Sequence, residues 1–321
     1  MGVSKAGQAL VIGATGGVGG ALAGRLEADG WRIRALHRDP DRVRARHPRL
    51  EWVRGDAMER GDVARAAEGA DIIVHAVNPP AYRNWAGLQM PMLRNTIAGA
   101  QATGARILFP GTVYNYGPDA FPRIAETAAQ RPLTRKGAIR TQMEAALRDS
   151  GAPVLLVRCG DYFGPQPGNN WLSQGLTRPG RPIASVMYPG PPEIAHAWAY
   201  LPDVAETFVR LLASDLGRFE TFHMQGQEVT GHTFVGAVAE AAGRPVALRR
   251  LPWFALQTAA PFNETFREML EMRYLWNRPV LLDNARLVAR LGAEPRTPLV
   301  SALRAALAGQ GALAAEPTVA P

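Results

Sequence analysis

Short apolar runs recur along the first half of the chain and alternate with stretches in which apolar residues return every three to four positions. The runs at residues 9–12, 32–36, 51–54, 71–76, 106–110 and 154–158 predict strands, and the periodic stretches after Gly17 and at 39–46, 62–68, 85–103 and 136–150 predict helices. Strands that alternate with helices form a parallel sheet covered on both faces. Right-handed crossovers then give a doubly wound α/β sheet whose ligand cleft lies at the carboxyl ends of the strands. After Arg158 the texture changes. Residues 164–192 are rich in glycine and proline, with Trp171 and Tyr188 interspersed, and predict an irregular segment over the cleft. Leu201-Pro202-Asp203 opens a helix through Leu212, with Asp203 as its cap or first-turn acid. Residues 229–307 look mostly helical, the end beyond Gly309 has no periodic pattern, and no internal repeat is present.

The first strand runs into Leu10-Val11-Ile12-Gly13-Ala14-Thr15-Gly16-Gly17-Val18-Gly19-Gly20, after which Leu22, Ala23 and Leu26 recur at helical spacing. Glycine at Gly13, Gly16 and Gly19 lets the backbone approach a pyrophosphate, whose charge is met by the amides of the helix N-terminus. Gly13, Thr15, Gly16, Gly17, Val18 and Gly19 are therefore candidate dinucleotide-binding residues. At the end of the second strand, Leu36-His37-Arg38-Asp39-Pro40 lacks an acid at His37 and supplies Arg38 at once, with Arg34 nearby. An acid there would hold a ribose 2′-hydroxyl, whereas arginine accepts a 2′-phosphate, so NADP(H) is expected in preference to NAD(H). Asp39 is the counterweight, although Asp39-Pro40 also suits a helix cap. After the third strand, Asp56 and Ala57 would face the adenine, unless Asp56 instead caps the next helix. After the fourth, Ala76, Val77 and Asn78 would run beneath the middle of the dinucleotide.

Composition changes this picture little. With 321 residues, 47% of them hydrophobic, the chain can bury one large core or two modest ones. No apolar run is long enough to cross a bilayer and no secretory signal opens the chain, which predicts a cytoplasmic protein without a membrane partner. The single cysteine, Cys159, excludes an internal disulfide and a cysteine-built metal site; no metal is expected, and Cys159 is read as a small buried residue beside the cleft. The net charge of +8 comes from arginines spread along the chain, with only Lys5 and Lys136 as lysines. That distribution does not form a nucleic-acid stripe, and part of it suits a polyanionic cofactor.

The glycine loop, Gly55-Asp56, Gly111-Thr112-Val113-Tyr114-Asn115-Tyr116-Gly117, Asp161-Tyr162-Phe163-Gly164-Pro165 and Tyr200-Leu201-Pro202-Asp203-Val204-Ala205 occur in this order. Together they resemble the short-chain dehydrogenase/reductase superfamily, in particular its extended and atypical members of the NAD-dependent epimerase/dehydratase type. The resemblance implies a Rossmann fold over residues 1–163, completed by about 198–225. It implies a smaller, mostly helical substrate-binding region from residues 164–197 and 226–308, and a flexible tail at 309–321. It also implies a small-molecule substrate and a homodimer formed through the helices at 85–103 and 136–150. Thr112 is implied as the hydroxyl that bonds the reacting oxygen, and Tyr114 as a residue facing substrate.

The superfamily's proton donor is a tyrosine one helical turn before a lysine, whose ammonium lowers the phenol pKa and holds the nicotinamide ribose. No tyrosine lies between Gln130 and Ser150. With Glu144 and Pro153 as anchors, Lys136 takes the tyrosine position and Arg140 the lysine position. Arg140 can hold ribose hydroxyls but cannot shuttle protons. Lys136, if buried beside a second cation, would be pushed toward a pKa suited to acid–base or Schiff-base chemistry. The remaining candidate phenols are Tyr114, Tyr116 and Tyr162. Tyr162, His196 and Trp198 are the expected substrate contacts, within an aromatic set that also includes Trp171, Tyr188, Trp253, Phe254, Phe262, Phe266, Tyr274 and Trp276. The superfamily's nucleotide-sugar binders carry an asparagine near the position of Gly160, which this chain lacks.

The implied reaction is hydride transfer between NADP(H) and a carbonyl or alcohol. Two alternatives stay open: an epimerase or dehydratase that retains its NAD, and a catalytically silent dinucleotide-binding protein.

Overall fold

The computed structural model describes residues 7–79, 84–166 and 170–313. In chain order its first part comprises β1 (Gln8–Ile12), α1 (Gly17–Ala28), β2 (Arg32–His37), α2 (Asp41–Arg44), β3 (Glu51–Arg54), α3 (Arg60–Ala67), β4 (Ile72–His75), α4 (Trp85–Thr103) and β5 (Arg106–Gly111). There follow β6 (Arg123–Ile124), α5 (Arg135–Asp149), β7 (Val154–Arg158), β8 (Asp161–Phe163), β9 (Ser185–Tyr188), β10 (Ala195–Tyr200), α6 (Leu201–Leu212), β11 (Phe219–His223) and β12 (Gln227–Thr230). The remainder is α7 (Gly231–Ala242), β13 (Ala247–Arg250), α8 (Trp253–Ala259), α9 (Glu264–Glu271), β14 (Leu281–Leu282), α10 (Ala285–Leu291) and α11 (Leu299–Gly309).

Seven strands form one parallel sheet in the order β3-β2-β1-β4-β5-β7-β11. Period-two alternation builds a core on each face. Leu10 and Ile12 of β1 pack on one side with α3, α4 and α5, while Ala9 and Val11 pack on the other with α1, α6 and Leu287 of α10. The sheet order reverses at β1, where β2 and β4 flank it, and a dinucleotide cleft opens at such a switch point.

A third core gathers Phe163, Leu172, Tyr188, Trp198, Phe234, Trp276 and the inner face of α11. It lies around a three-stranded sheet, β12-β10-β8. This region contains more strand than its periodicity predicts, since β9 pairs with β13 and β14 with β6 in short parallel ladders. Asp203 is the first-turn acid of α6, whose cap position is Tyr200. Its carboxylate accepts hydrogen bonds from the Thr297 amide at 2.8 Å and the Thr297 hydroxyl at 2.6 Å, fastening the segment before α11 to α6. The segment expected as tail is packed at its start: the Gln310 carbonyl accepts from Gly180, and Ala312 is fully buried. Residues 314–321 of that expected tail lie outside the described residues.

Helix α2 is shorter than the 39–46 pattern suggests, because the Asp39 amide donates to His37 Nδ1 at 3.0 Å and Pro40 occupies the cap position. At the other end of the crossover, Gly19 meets the β1 turn so closely that an added Cβ would overlap the Gly13 carbonyl oxygen. A Gly19→Ala variant should therefore push α1 off β1, costing about 1–3 kcal/mol of stability, as chemical denaturation would measure.

Candidate functional site: a dinucleotide cleft at the carboxyl edge of the sheet

The turns that follow β1 to β5 open onto one cleft of about 680 Å³. Gly13 sits at φ +102°, and a Cβ there would come within 2.6 Å of the Ala76 carbonyl oxygen, so the turns after β1 and β4 can approach this closely only with glycine at this point. Gly16 caps α1 without a side-chain partner, and the first turn of α1 holds no acid. Its leading amides are thus available to an anion, a donor set suited to a pyrophosphate.

The cleft is lined by Gly13, Thr15, Gly16, Gly17 and Val18, by His37 and Arg38, by Asp56 and Ala57, and by Ala76, Val77 and Asn78. Gly19 does not line it; it serves the helix–strand contact described above. Arg34 is also elsewhere: its guanidinium pairs with Glu51 at 2.9 Å and donates to the Ala66 and Glu68 carbonyls, which ties β2 to β3 and to the end of α3. Arg38 is exposed and makes no ion pair among the described residues. Because His37 Nδ1 accepts the Asp39 amide, the neutral imidazole carries its proton on Nε2. Asp56 forms a local turn, its Oδ1 accepting the Met58 amide at 3.0 Å, while α3 is capped at Glu59. Asn78 Oδ1 accepts from Trp85 Nε1 at 2.8 Å and from Gln89 Nε2 at 3.1 Å, which fixes the β4 turn onto α4.

Beyond β5 the same cleft is lined by Thr112, Tyr114, Arg140, Asp161, Tyr162, Asn170 and Trp171. The Arg140 guanidinium lies 5.2 Å from the Trp85 ring centre and 5.4 Å from that of Phe109, and donates to the Pro110 carbonyl at 3.5 Å. Tyr162 donates to the Gly111 carbonyl at 2.6 Å, and burial raises its phenol well above the ordinary value. Tyr116 is fully buried and bonded to Arg158 at 2.7 Å and His223 at 3.2 Å, beside the Arg158–Glu144 pair. Burial pushes its phenol up to about 12, partly offset by Arg158, and it does not line the cleft.

The expected catalytic placement of Lys136 is not realised. Its side chain is fully buried and its ammonium is held by α9: it pairs with the Glu268 carboxylate, donates to the Glu268 carbonyl at 3.0 Å and reaches Glu271 Oε2 at 2.8 Å. The Lys136 amide also donates to Glu271 Oε1, so these carboxylates answer both the side-chain charge and the positive end of α5. Burial works to raise the Glu271 carboxyl, but the bonds and charge of Lys136 outweigh it and hold the group below its ordinary value. Two glutamates three apart on one helix were the sequence signal for this cluster.

The substrate contacts divide similarly. Tyr162 lines the cleft, His196 stands behind it bonded to Asp161, and Trp198 is fully buried in the third core. Of the aromatic set named from the sequence, only Tyr162 and Trp171 line the cleft among the described residues, while Phe254 and Phe262 point outward, 78% and 91% exposed. Trp85, Leu88 and Met92 of α4 also line the cleft; the sequence pattern marked residues 85–103 only as a helix. His75 was also missed. It is buried against Phe109, its Nδ1 lies 2.8 Å from Thr96 Oγ1, and desolvation together with the Arg140 charge lowers it to about 3, so it is neutral. Cys159 is buried, and desolvation raises its thiol.

A doubly wound sheet with a glycine cradle at its switch point and a hydroxyl, a phenol and a guanidinium in one cleft defines a dinucleotide-binding protein of the Rossmann class. Residues 13–183 match the NAD(P)H-binding family, and the chain belongs to it. Its relatives and structural neighbours include reductases, dehydrogenases and epimerases. The chain is 29% identical over 271 residues to a (4-alkanoyl-5-oxo-2,5-dihydrofuran-3-yl)methyl phosphate reductase of Streptomyces griseus, covering 82% of this chain and 86% of that one. In fold it is similar to L-threonine dehydrogenase of Clostridium difficile, with a TM-score of 0.74 at 15% identity over 96% of this chain and 99% of that one. It is similar also to UDP-glucuronic acid 4-epimerase of Bacillus cereus, with a TM-score of 0.71 at 14% identity over 94% and 98% of the two chains. No helix among the described residues is long and apolar enough to cross a membrane.

Proposed function

We propose that the protein is an NADP(H)-preferring reductase that passes hydride between the nicotinamide and a carbonyl or alcohol carbon. The observation that carries this reading is the single cleft shared by the glycine cradle and by Thr112, Tyr114 and Arg140. The reductase activity of the relative from Streptomyces griseus supports the redox reading over a redox-neutral one.

The bound cofactor supplies or accepts the hydride. Gly17 and Val18 present amides to the pyrophosphate, and His37 Nε2–H and Arg38 receive a 2′-phosphate. The Thr112 hydroxyl donates to the carbonyl oxygen and so favours the alkoxide that develops there. The Tyr114 hydroxyl, in the same turn, gives that oxygen its proton. Arg140 holds the ribose hydroxyls, and its fixed positive charge favours negative charge forming on the oxygen or the phenol. Lys136 has no chemical step in this scheme; it anchors α9 to α5.

Calorimetry with NADPH and NADH, followed by nicotinamide absorbance during incubation with aldehydes and ketones, tests the proposal. Binding with net consumption of NADPH is the expected result, and absence of binding by either cofactor overturns it. Arg38→Glu should weaken NADPH binding about 10- to 100-fold while leaving NADH within about twofold, because only the former loses a charge-assisted bond.

A further inference from the structure

The cleft holds a carboxylate that the hydride chemistry above does not use. Asp161 opens β8 and lines the cleft with its side chain 13% exposed. Its Oδ2 accepts from His196 Nε2 at 2.7 Å. The imidazole has little freedom, since it lies flat on Trp276 with ring centres 4.0 Å apart and an interplanar angle of 9°, and meets Trp198 at 5.3 Å. His196 therefore fixes the plane of the carboxylate. Among the described residues no donor reaches Oδ1, which is not sealed from the cleft.

A carboxylate oxygen that opens to the cleft can accept a further hydrogen bond from a donor on a ligand. Its strand neighbour Tyr162 bonds the carbonyl of Gly111, directly before Thr112, which ties β8 to the turn that carries Thr112, and Asp161 and Thr112 line the same cleft. We propose that Asp161, oriented by His196, selects the substrate by accepting a hydrogen bond from a hydroxyl or amine carried beside the reacting carbonyl. An anionic substituent at this point meets like charge and is disfavoured. His196 is a positioning residue, and Asp161 the specificity determinant. The inference rests on the reductase reading of the cleft.

The test compares α-hydroxyacetophenone with α-methoxyacetophenone by saturation-transfer NMR on the full chain loaded with NADP+ or NAD+. The hydroxy ketone is expected to bind about tenfold more tightly or better, because its donor reaches a charged acceptor. In Asp161→Asn the His196 N–H keeps a carbonyl acceptor and an amide donor turns to the cleft, so the preference should fall to about twofold or less. His196→Leu should erase the preference without changing cofactor affinity, and His196→Gln, which restores a donor, should recover part of it. No preference in the wild type, no binding of either ketone, or a preference that survives Asp161→Asn overturns the assignment. Bound cofactor with no preference removes Asp161 alone, whereas absence of cofactor binding removes the reductase reading beneath it.

Discussion

A Lys136→Met variant is expected to lose about 3–5 kcal/mol of stability in urea denaturation, while its folded fraction binds NADPH as the wild type does. The ammonium is fully buried between two glutamates, and removing it leaves Glu271 without its ammonium partner and Glu268 with only the more exposed Arg135, 2.6 Å away, as counter-charge. The Glu268 side chain is only 5% exposed, so solvent screens it little. Breaking a buried ion pair from one side is costly because the remaining charge keeps its desolvation penalty. The triple variant Lys136→Met, Glu268→Gln, Glu271→Gln should recover much of the loss. Lost turnover with unchanged denaturation in Lys136→Met would instead return the lysine to the chemistry.

A Tyr114→Phe variant is expected to lower kcat about 100- to 10,000-fold with the NADPH dissociation constant unchanged, as single-turnover absorbance and calorimetry would show. The ring stays in place and only the proton donor goes. Thr112→Val in the same assay should reduce kcat/KM through the lost oxygen contact, by about 100-fold for one donor in a water-poor site. Full turnover in Tyr114→Phe would assign the proton to another group. Tyr116 would not be that group, because its hydroxyl is already engaged with Arg158 and His223 inside the core.

The sheet and the dinucleotide half of the cleft were legible in the sequence because their signals are local. Short apolar runs fix the strands, and the glycine spacing fixes the turn after β1. Helices α4 and α6 begin and end where periodicity places them, at Trp85–Thr103 and Leu201–Leu212. The second region was less legible. Its strands β13 and β14 are short and pair only with distant segments, so neither shows a periodicity of its own. Arg34 and Arg38 look equivalent as cations near the end of β2, yet strand alternation and the ends of neighbouring elements send Arg34 to Glu51 and leave Arg38 at the cleft.

By itself, the sequence determined a parallel sheet, a glycine turn after β1 and a helix that carries Lys136 and Arg140 one turn apart. Tertiary structure alone decided what those two cations meet. Lys136 and Glu268 are 132 residues apart in the chain, and Asp161 and His196 are 35 apart. The direction of a buried charge is set by whichever opposite charge the fold brings to it, and spacing along the chain carries no record of that partner.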